Sequence, residues 1–243
     1  MARAHRETFV DGEAMDRYHR YQEKYQTTVR ESDKVLIELV RRCCDGPATL
    51  IDLGCSTGNL LRHMRGLLPD VTLTGVDIVD SVVAENQANA TLEGIEFFAM
   101  DILQAPAERT FDVAVTNASL LFFDVDQLNR AAESIAGLVK PGGAYVGFEF
   151  LHPFAQEITV VEHSDYRPDG LTFYFRSFGK FRAAFEAAGF EDVEFTPFHV
   201  PIELPRGADD DLTTYSVDSS QGRLSYRGCL GQPWCHVRAR RRA

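Results

Sequence analysis

The sequence predicts an α/β fold: a doubly wound, mostly parallel seven-stranded sheet with an antiparallel final strand, an N-terminal helical lid and a C-terminal β-hairpin. Three observations carry this. From residue 48 to about residue 151, short and nearly continuous apolar runs alternate with segments of helical period, as in a parallel sheet covered on both faces. Acids stand just past three of the runs, at Asp52, Asp77 and Asp101, separated by 25 and 24 residues, one strand–helix unit each. A turn bearing Gly54 and Gly58 follows the first run. With 243 residues the chain can bury a sizeable core, and it reads as a single domain: 1–32 the lid, 33–151 the core, and 152–243 a later insert with the last strands.

The elements follow in order. Tyr18, Tyr21, Tyr25 and Val29 are spaced by three and four, one face of a helix that either packs on the domain or closes over a ligand. Ser32 is placed to cap a second helix through Val35, Leu36, Leu39 and Val40, which stops near Asp45-Gly46-Pro47. Strand one is ATLIDLG (48–54), followed by a helix over Asn59–Leu68 that ends before Pro69. Strand two is VTLTGVDI (71–78), with a helix from Ser81 to about Ala90. Strand three is the short IEFFAMD (95–101), and strand four is FDVAVTNAS (111–119). A helix over Asp126–Val139 ends at Lys140-Pro141-Gly142-Gly143, and strand five is GAYVGFEFL (143–151). Residues 152–175 are polar and aromatic without clear period, an insertion near the active face. Phe178–Ala188 is helical with Gly189 closing it, and EDVEFTPFHV (191–200) is a sixth strand. LTTYSVDSSQGRLSYRG (212–228) is a hairpin turning at residues 219–222, and PWCHVRARR (233–241) is the final strand.

Bulk composition narrows the function. The net charge of −11 gives no general attraction to nucleic acid, so that partner is not expected. The closing RARRRA (238–243) reads as a solvated end of the last strand. The five cysteines include no C-x-x-C pair, which argues against a disulfide framework or a zinc ribbon. Cys229, Cys235 and His236 are close in sequence, but strand alternation turns neighbours to opposite faces, and no metal is expected. No apolar run reaches membrane-spanning length and the first residues hold no apolar signal core, so the expected location is the cytoplasm.

In an open α/β sheet, ligands bind beyond the carboxyl ends of the strands. This chain places Asp52, Gly54, Cys55, Gly58 and Asn59 there after strand one, Asp77 and Ile78 after strand two, Met100, Asp101 and Ile102 after strand three, and Asn117 and Ser119 after strand four. Glycines let the backbone approach a ligand in dihedrals closed to other residues. An acid about 20 residues beyond such a turn suits the two hydroxyls of a ribose. Asp101 can accept from an exocyclic adenine amine, with Met100 and Ile102 flanking the ring. A dinucleotide fold would show G-x-G-x-x-G, but from Gly54 the positions two and five on are Ser56 and Asn59. Phosphate at a helix N-terminus also disfavours an acid alongside, and Asp52 is there. The pattern suits a cationic adenosine cofactor without phosphates.

IDLGCSTGNL, GVDI, MDI, FDVAVTNASLLFF and LVKPGGAYV, in this order and spacing, resemble the successive motifs of class I, seven-stranded (Rossmann-like) methyltransferases that use S-adenosylmethionine. The resemblance covers roughly residues 33–150. It implies S-adenosylmethionine as cofactor and S-adenosylhomocysteine as product. It implies that Gly54, Cys55 and Gly58 line the methionine part, that Asp77 holds the ribose, and that Asp101 and Ile102 hold the adenine. Asn117 and Ser119 would lie under the sulfonium. One departure is Ser56, where the fuller loop pattern has a third glycine.

Candidate catalytic residues are Asn117 and, around the end of strand five, Glu149 and His152, with Glu162 and His163 further on. His152 comes first as a general base because it directly follows the apolar strand; its alternative is a helix-start or loop histidine bonded to backbone. Glu149 could instead orient a cationic amine. Tyr18 and Tyr25 are candidate lid contacts to the cofactor, and Tyr166, Phe173 and Tyr174 candidate acceptor contacts. The absence of an N-P-P-Y-type segment after strand four speaks against methylation of base amines. The expected activity is methyl transfer to a nitrogen or oxygen of a small molecule, by a monomer or homodimer. RNA or protein methylation, a nicotinamide-dependent oxidoreductase and a non-catalytic cofactor-binding protein are the alternatives.

Overall fold

The apolar runs pair into one twisted sheet. The computed structural model of the chain describes residues 12–104, 109–165, 167–208 and 214–243. Seven strands lie side by side: β3 (Glu96–Ala99), β2 (Val71–Asp77), β1 (Ala48–Leu53), β4 (Phe111–Asn117), β5 (Val139–His152), β12 (Trp234–Arg241) and β8 (Phe190–Pro197). The pairs among β3, β2, β1, β4 and β5 are parallel, and β12 runs antiparallel to both β5 and β8. The chain reverses its direction of travel across the sheet after β3, so β1 and β4 are neighbours and their carboxyl ends flank the crevice.

Alternating residues feed two cores. Leu50, Val113, Val115, Val146 and Phe148 pack with α2 (Glu31–Arg41) and α3 (Asn59–Leu67) on one face. Ile51, Ala114, Tyr145 and Leu151 pack with α5 (Val125–Leu138) and α6 (Phe178–Ala187) on the other. α4 (Asp80–Ala88) sends Val83 into the first of these cores. α5 starts at a reciprocal cap: Asp124 accepts from the Gln127 amide at 2.8 Å while the Gln127 side chain accepts from the Asp124 N–H at 2.9 Å.

Several boundaries differ from the sequence reading. α1 (Gly12–Glu23) ends before Tyr25, so Tyr18, Tyr21, Tyr25 and Val29 do not form one helical face. Ser32 lies inside α2, whose N-cap is Arg30 and lacks a side-chain cap bond. Asp33, Leu36, Ile37 and Val40 form the buried stripe of that helix, an acid among aliphatics. Residues 152–175 are not irregular: β6 (Ile158–Ser164) and β7 (Arg167–Ser177) form an antiparallel hairpin, and β7 joins β5 at Leu151 and His152. Its outward strand alternates between exposed and half-buried residues, which left no strong period to read. The hairpin read near the C-terminus is present as β9 (Thr214–Ser219) and β10 (Gly222–Arg227), extended by β11 (Leu230–Gln232) into a separate three-stranded sheet. Tyr166 lies outside the described residues.

The terminal arginines answer to strand β8 rather than to solvent alone. Arg238 pairs with Glu194 at 2.9 Å, and Arg240 with Glu191 at 2.5 Å and Asp192 at 3.2 Å. Arg241 donates to the carbonyls of Ala136 and Gly189.

Candidate active site

The turn after β1 builds the floor of the site. Gly54 (φ +82°) and Gly58 (φ +69°) both sit in the left-handed region, and Ser56 (φ +47°), standing where a glycine would be unstrained, joins them. A Cβ on Gly54 would lie 2.5 Å from Ser119 Oγ, so the loops after β1 and β4 touch only because that side chain is absent. The Ser119 hydroxyl bridges them, donating to the Leu53 carbonyl at 2.9 Å. Gly58 serves as the N-cap of α3 without a side-chain cap, leaving amides of the first turn available to a ligand.

Asp52 lies at the centre. It is 2% exposed, and its Oδ1 has no hydrogen-bond partner. Burial, and then the charges of Asp33 and Asp77, push its carboxyl up to about 8. A buried carboxyl with a free oxygen, at a glycine turn, suits a cationic ligand and repels a phosphate. Asp77 is half-buried and braces the same turn: its Oδ2 accepts from the Ser56 amide at 2.9 Å and its Oδ1 from the Val79 amide at 3.1 Å. Each oxygen keeps a second lone pair for a ligand hydroxyl. Asp101 holds the turn after β3 through the Leu103 amide and the Gln104 side chain, both at 2.9 Å. Met100 and Ile102 are buried in the core beside it, and Ile78 is half-buried after β2.

Asn59 and Cys55 face inward, toward the protein. Asn59 is 7% exposed; its Nδ2 donates to the Gln22 carbonyl at 3.0 Å and its Oδ1 accepts from Arg62 at 2.5 Å, which ties α1 to α3. The Cys55 thiol is buried, and burial followed by the Asp52 charge holds it well above its ordinary range. It is therefore a packing residue. All five cysteines are free.

The α1 segment covers the turn. Tyr18 stands on α1 at 40% exposure, and burial of its hydroxyl raises its titration while the charge of Arg30 lowers it. Tyr25 turns elsewhere: its hydroxyl is 3.3 Å from that of Tyr21, and the Arg30 guanidinium stacks 4.0 Å from its ring centroid. Arg30 in turn donates to the buried side chain of Gln22. Sequence reading missed Gln22, Arg30 and Asp33, which are ordinary surface types in helix-end positions.

The loop after β4 is held by parts of the chain far apart in sequence. Asn117 Nδ2 donates to Asp33 Oδ1 at 3.1 Å. Ala118 takes φ +62°, a strained value for a residue with a Cβ. That turn points the amides of Ser119, Leu120 and Leu121 at the Glu149 carboxylate, at 3.2, 3.1 and 2.9 Å, and Thr116 Oγ1 donates to it at 2.8 Å. Glu149 is 1% exposed; burial raises its carboxyl to about 7, against the pull of these four donors. Its four contacts with its own chain leave it positioning the loop, not acting as a base or orienting an amine. Arg176 of β7, also buried, donates to the Leu120 carbonyl at 3.1 Å.

His152 is 7% exposed and neither ring nitrogen has a partner, so it is not a loop histidine bonded to backbone. The sheet register sets Phe148 beside Asn117. His152 lies four residues further on, roughly 13 Å along the strand. It therefore overlooks the outer part of the crevice, with the ring of Phe154 5.9 Å away. Glu162 and His163 lie on the hairpin and are occupied: Glu162 pairs with Arg227 at 2.8 Å and His163 meets the Pro168 carbonyl at 2.8 Å. Phe173 is buried in an aromatic cluster with Phe150, Phe175 and Leu121, which Phe122 and Trp234 border. Tyr174 faces away from it, under the Arg176 guanidinium. Among the described residues, no group of three His, Cys, Asp or Glu side chains is placed to hold a metal ion, and no helix is long and apolar enough to cross a membrane.

Residues 50–143 match the family described as "Methyltransferase domain". Over 142 residues, 56% of this chain and 48% of the relative, the sequence is 23% identical to the malonyl-[acyl-carrier protein] O-methyltransferase of Acetivibrio thermocellus. Over 95 residues, 38% of this chain and 40% of the relative, it is 36% identical to the carboxy-S-adenosyl-L-methionine synthase of Campylobacter hominis. The chain spans half or less of the length of the curated relatives it matches. The fold is similar to that of 1,6-didemethyltoxoflavin-N1-methyltransferase of Burkholderia thailandensis, with a TM-score of 0.61 at 16% identity, covering 96% of this chain and 88% of that one.

Proposed function

The chain belongs to the class I, S-adenosylmethionine-dependent methyltransferases, and from that premise we propose that it methylates a nitrogen or oxygen of a small molecule. The observation that carries the cofactor assignment is the unpartnered Asp52 Oδ1 beside a turn with three left-handed residues. When bound, S-adenosylmethionine supplies both the methyl group and its own leaving group. The residues of this chain then have to hold and align. Asp77 would accept from the ribose hydroxyls, Asp101 and Ile102 would border the adenine, and Tyr18 on α1 would contribute to the lid. Asn117 and Ser119 line the crevice at the end of β4, each already fixed by a hydrogen bond to another element. Such fixed alignment can contribute about 7–11 kcal/mol to lowering a displacement barrier, so a base at the reacting atom is optional and serves an acceptor that must lose a proton. His152, displaced along β5, serves the outer end of the acceptor.

A small acceptor is favoured by two features. The half-buried Phe122 and Trp234, packed on the buried Phe150 and Phe173, leave only a limited apolar surface near the end of β5. The cationic strand end that could hold a polyanion is paired with the acids of β8. A carrier-protein-bound acyl group, the acceptor class in the name of the Acetivibrio relative, is the second reading.

Two measurements test the proposal. Asp77→Ala is expected to weaken S-adenosylhomocysteine binding at least tenfold by calorimetry, as loss of a bidentate charged acceptor predicts; unchanged affinity refutes the ribose role. Incubation with labelled S-adenosylmethionine and a fractionated lysate is expected to place label in a low-molecular-weight product. Label confined to a carrier protein supports the second reading.

A further inference from the structure

Helices α5 and α6 lie side by side on one face of the sheet and leave a groove of about 410 Å³ between them. Each leads by a tight turn into a strand, α5 into β5 and α6 into β8, and doubles back along it. Those two strands point the same way, because β12 runs antiparallel to both. The two helices therefore also point the same way. Val125 and Lys180 stand at their starting ends. Glu133 stands about 12 Å further along α5, toward the end of the groove that Ala187 and Ala188 line. The floor between them is the buried Leu128 and Ala184.

Three features of this face have no use within one copy. Val125 is aliphatic yet 46% exposed. Lys180 sits in the first turn of α6, where the helix dipole favours an acid and none is present. Among the described residues, neither Lys180 nor Glu133 forms an ion pair. The groove thus has a knob and a cation at one end, and a hollow and an anion at the other.

Such a surface is complementary to itself. A two-fold axis through the middle of the groove reverses the second copy, so that every contact occurs twice. Val125 then faces the hollow beside Ala187 and Ala188 of the other copy, and Lys180 faces the other copy's Glu133. Asn129, half-way between Val125 and Glu133 on the groove wall, meets its own counterpart at the axis, and a carboxamide carries both a donor and an acceptor. The alanines let the two helix layers approach closely. A chain of net charge −11 repels its own copies over most of its surface, so a second copy docks best where opposite charges are set against each other.

We propose that the groove between α5 and α6 is the interface of a homodimer, occupied by the same groove of a second copy of this chain. Sedimentation equilibrium of the full chain tests it. The wild type should sediment at micromolar concentration with the mass of two chains. Lys180→Glu and Glu133→Lys each place like charges together at two points, and each should raise the dimer dissociation constant at least tenfold. The double variant restores opposite charges in exchanged positions and should dimerise within about threefold of wild type. Both side chains are exposed, so the folded state should survive either change. Should a single variant not fold, Asn129→Asp takes its place, because it sets two carboxylates against each other at the axis; undiminished dimerisation there overturns the proposal. A monomeric wild type overturns it and leaves the groove to a partner of another kind. A dimer indifferent to the single variants, or a double variant as weak as either of them, overturns it as well, since the interface then lies elsewhere.

Discussion

Replacing Glu149 with alanine is expected to cost about 3–5 kcal/mol of stability, the range for removing one partner from a buried charged network. The carboxylate satisfies three consecutive amides and the Thr116 hydroxyl. Without it, those donors stay buried and unpaired, and the left-handed turn at Ala118 has nothing to hold it. For a chain of this size each kcal/mol moves the midpoint by about 2–4 °C, so Tm should fall by about 10 °C. Thermal unfolding measures this. Glu149→Gln retains one accepting oxygen and should fall about half as far. A catalytic base would behave differently, losing turnover at unchanged Tm, and that outcome would return Glu149 to the chemistry.

Asp52 yields the second large effect, through protons. In the cofactor-free protein its carboxyl titrates at about 8, whereas an unfolded chain gives about 3.9. Below pH 4 or so both states hold the proton and the group contributes nothing to the pH dependence. Between about 4 and 8 the folded chain keeps a proton that the unfolded chain has lost, so stability falls with rising pH, by up to about 1.4 kcal/mol per unit from this group. Above 8 both states are ionised and the slope ends. A cation placed against Asp52 favours the ionised form and pulls the titration down. Binding of S-adenosylhomocysteine at pH 7 should therefore release about one proton. Calorimetry in two buffers of different ionisation heat reads that number directly. The release should drop by about one proton in Asp52→Asn, and a wild-type heat independent of buffer would refute the arrangement.

Much of this was legible in the chain because it is written locally. A strand buried on both faces reads as an apolar run, and a turn that must enter the left-handed region reads as glycine, so β1, its loop and the acid after β2 could be placed from sequence. What escaped depended on meetings between distant segments. Asp33 sits in the first turn of α2, where an acid favours the helix dipole, and nothing nearby says that it points inward. Glu149 looked like a base because it ends an apolar strand; the amides that occupy it come from residues 119–121 and reach it only through the turn at Ala118. The β6–β7 hairpin packs one strand against β5 and leaves the other in water, so neither pattern of burial repeats along it.

The loop after β4 has a consequence in time. Its anchors reach back 84 residues from Asn117 to Asp33 and 66 from Ser119 to Leu53, and forward 56 from Leu120 to Arg176. Contacts of such long sequence separation close late, after the local helices and adjacent parallel strands have formed. Arg176 emerges from a ribosome well after β1 to β4 have been made. A nascent or refolding chain therefore acquires most of its secondary structure before it acquires a crevice, and recognition of the cofactor is among the last properties to mature.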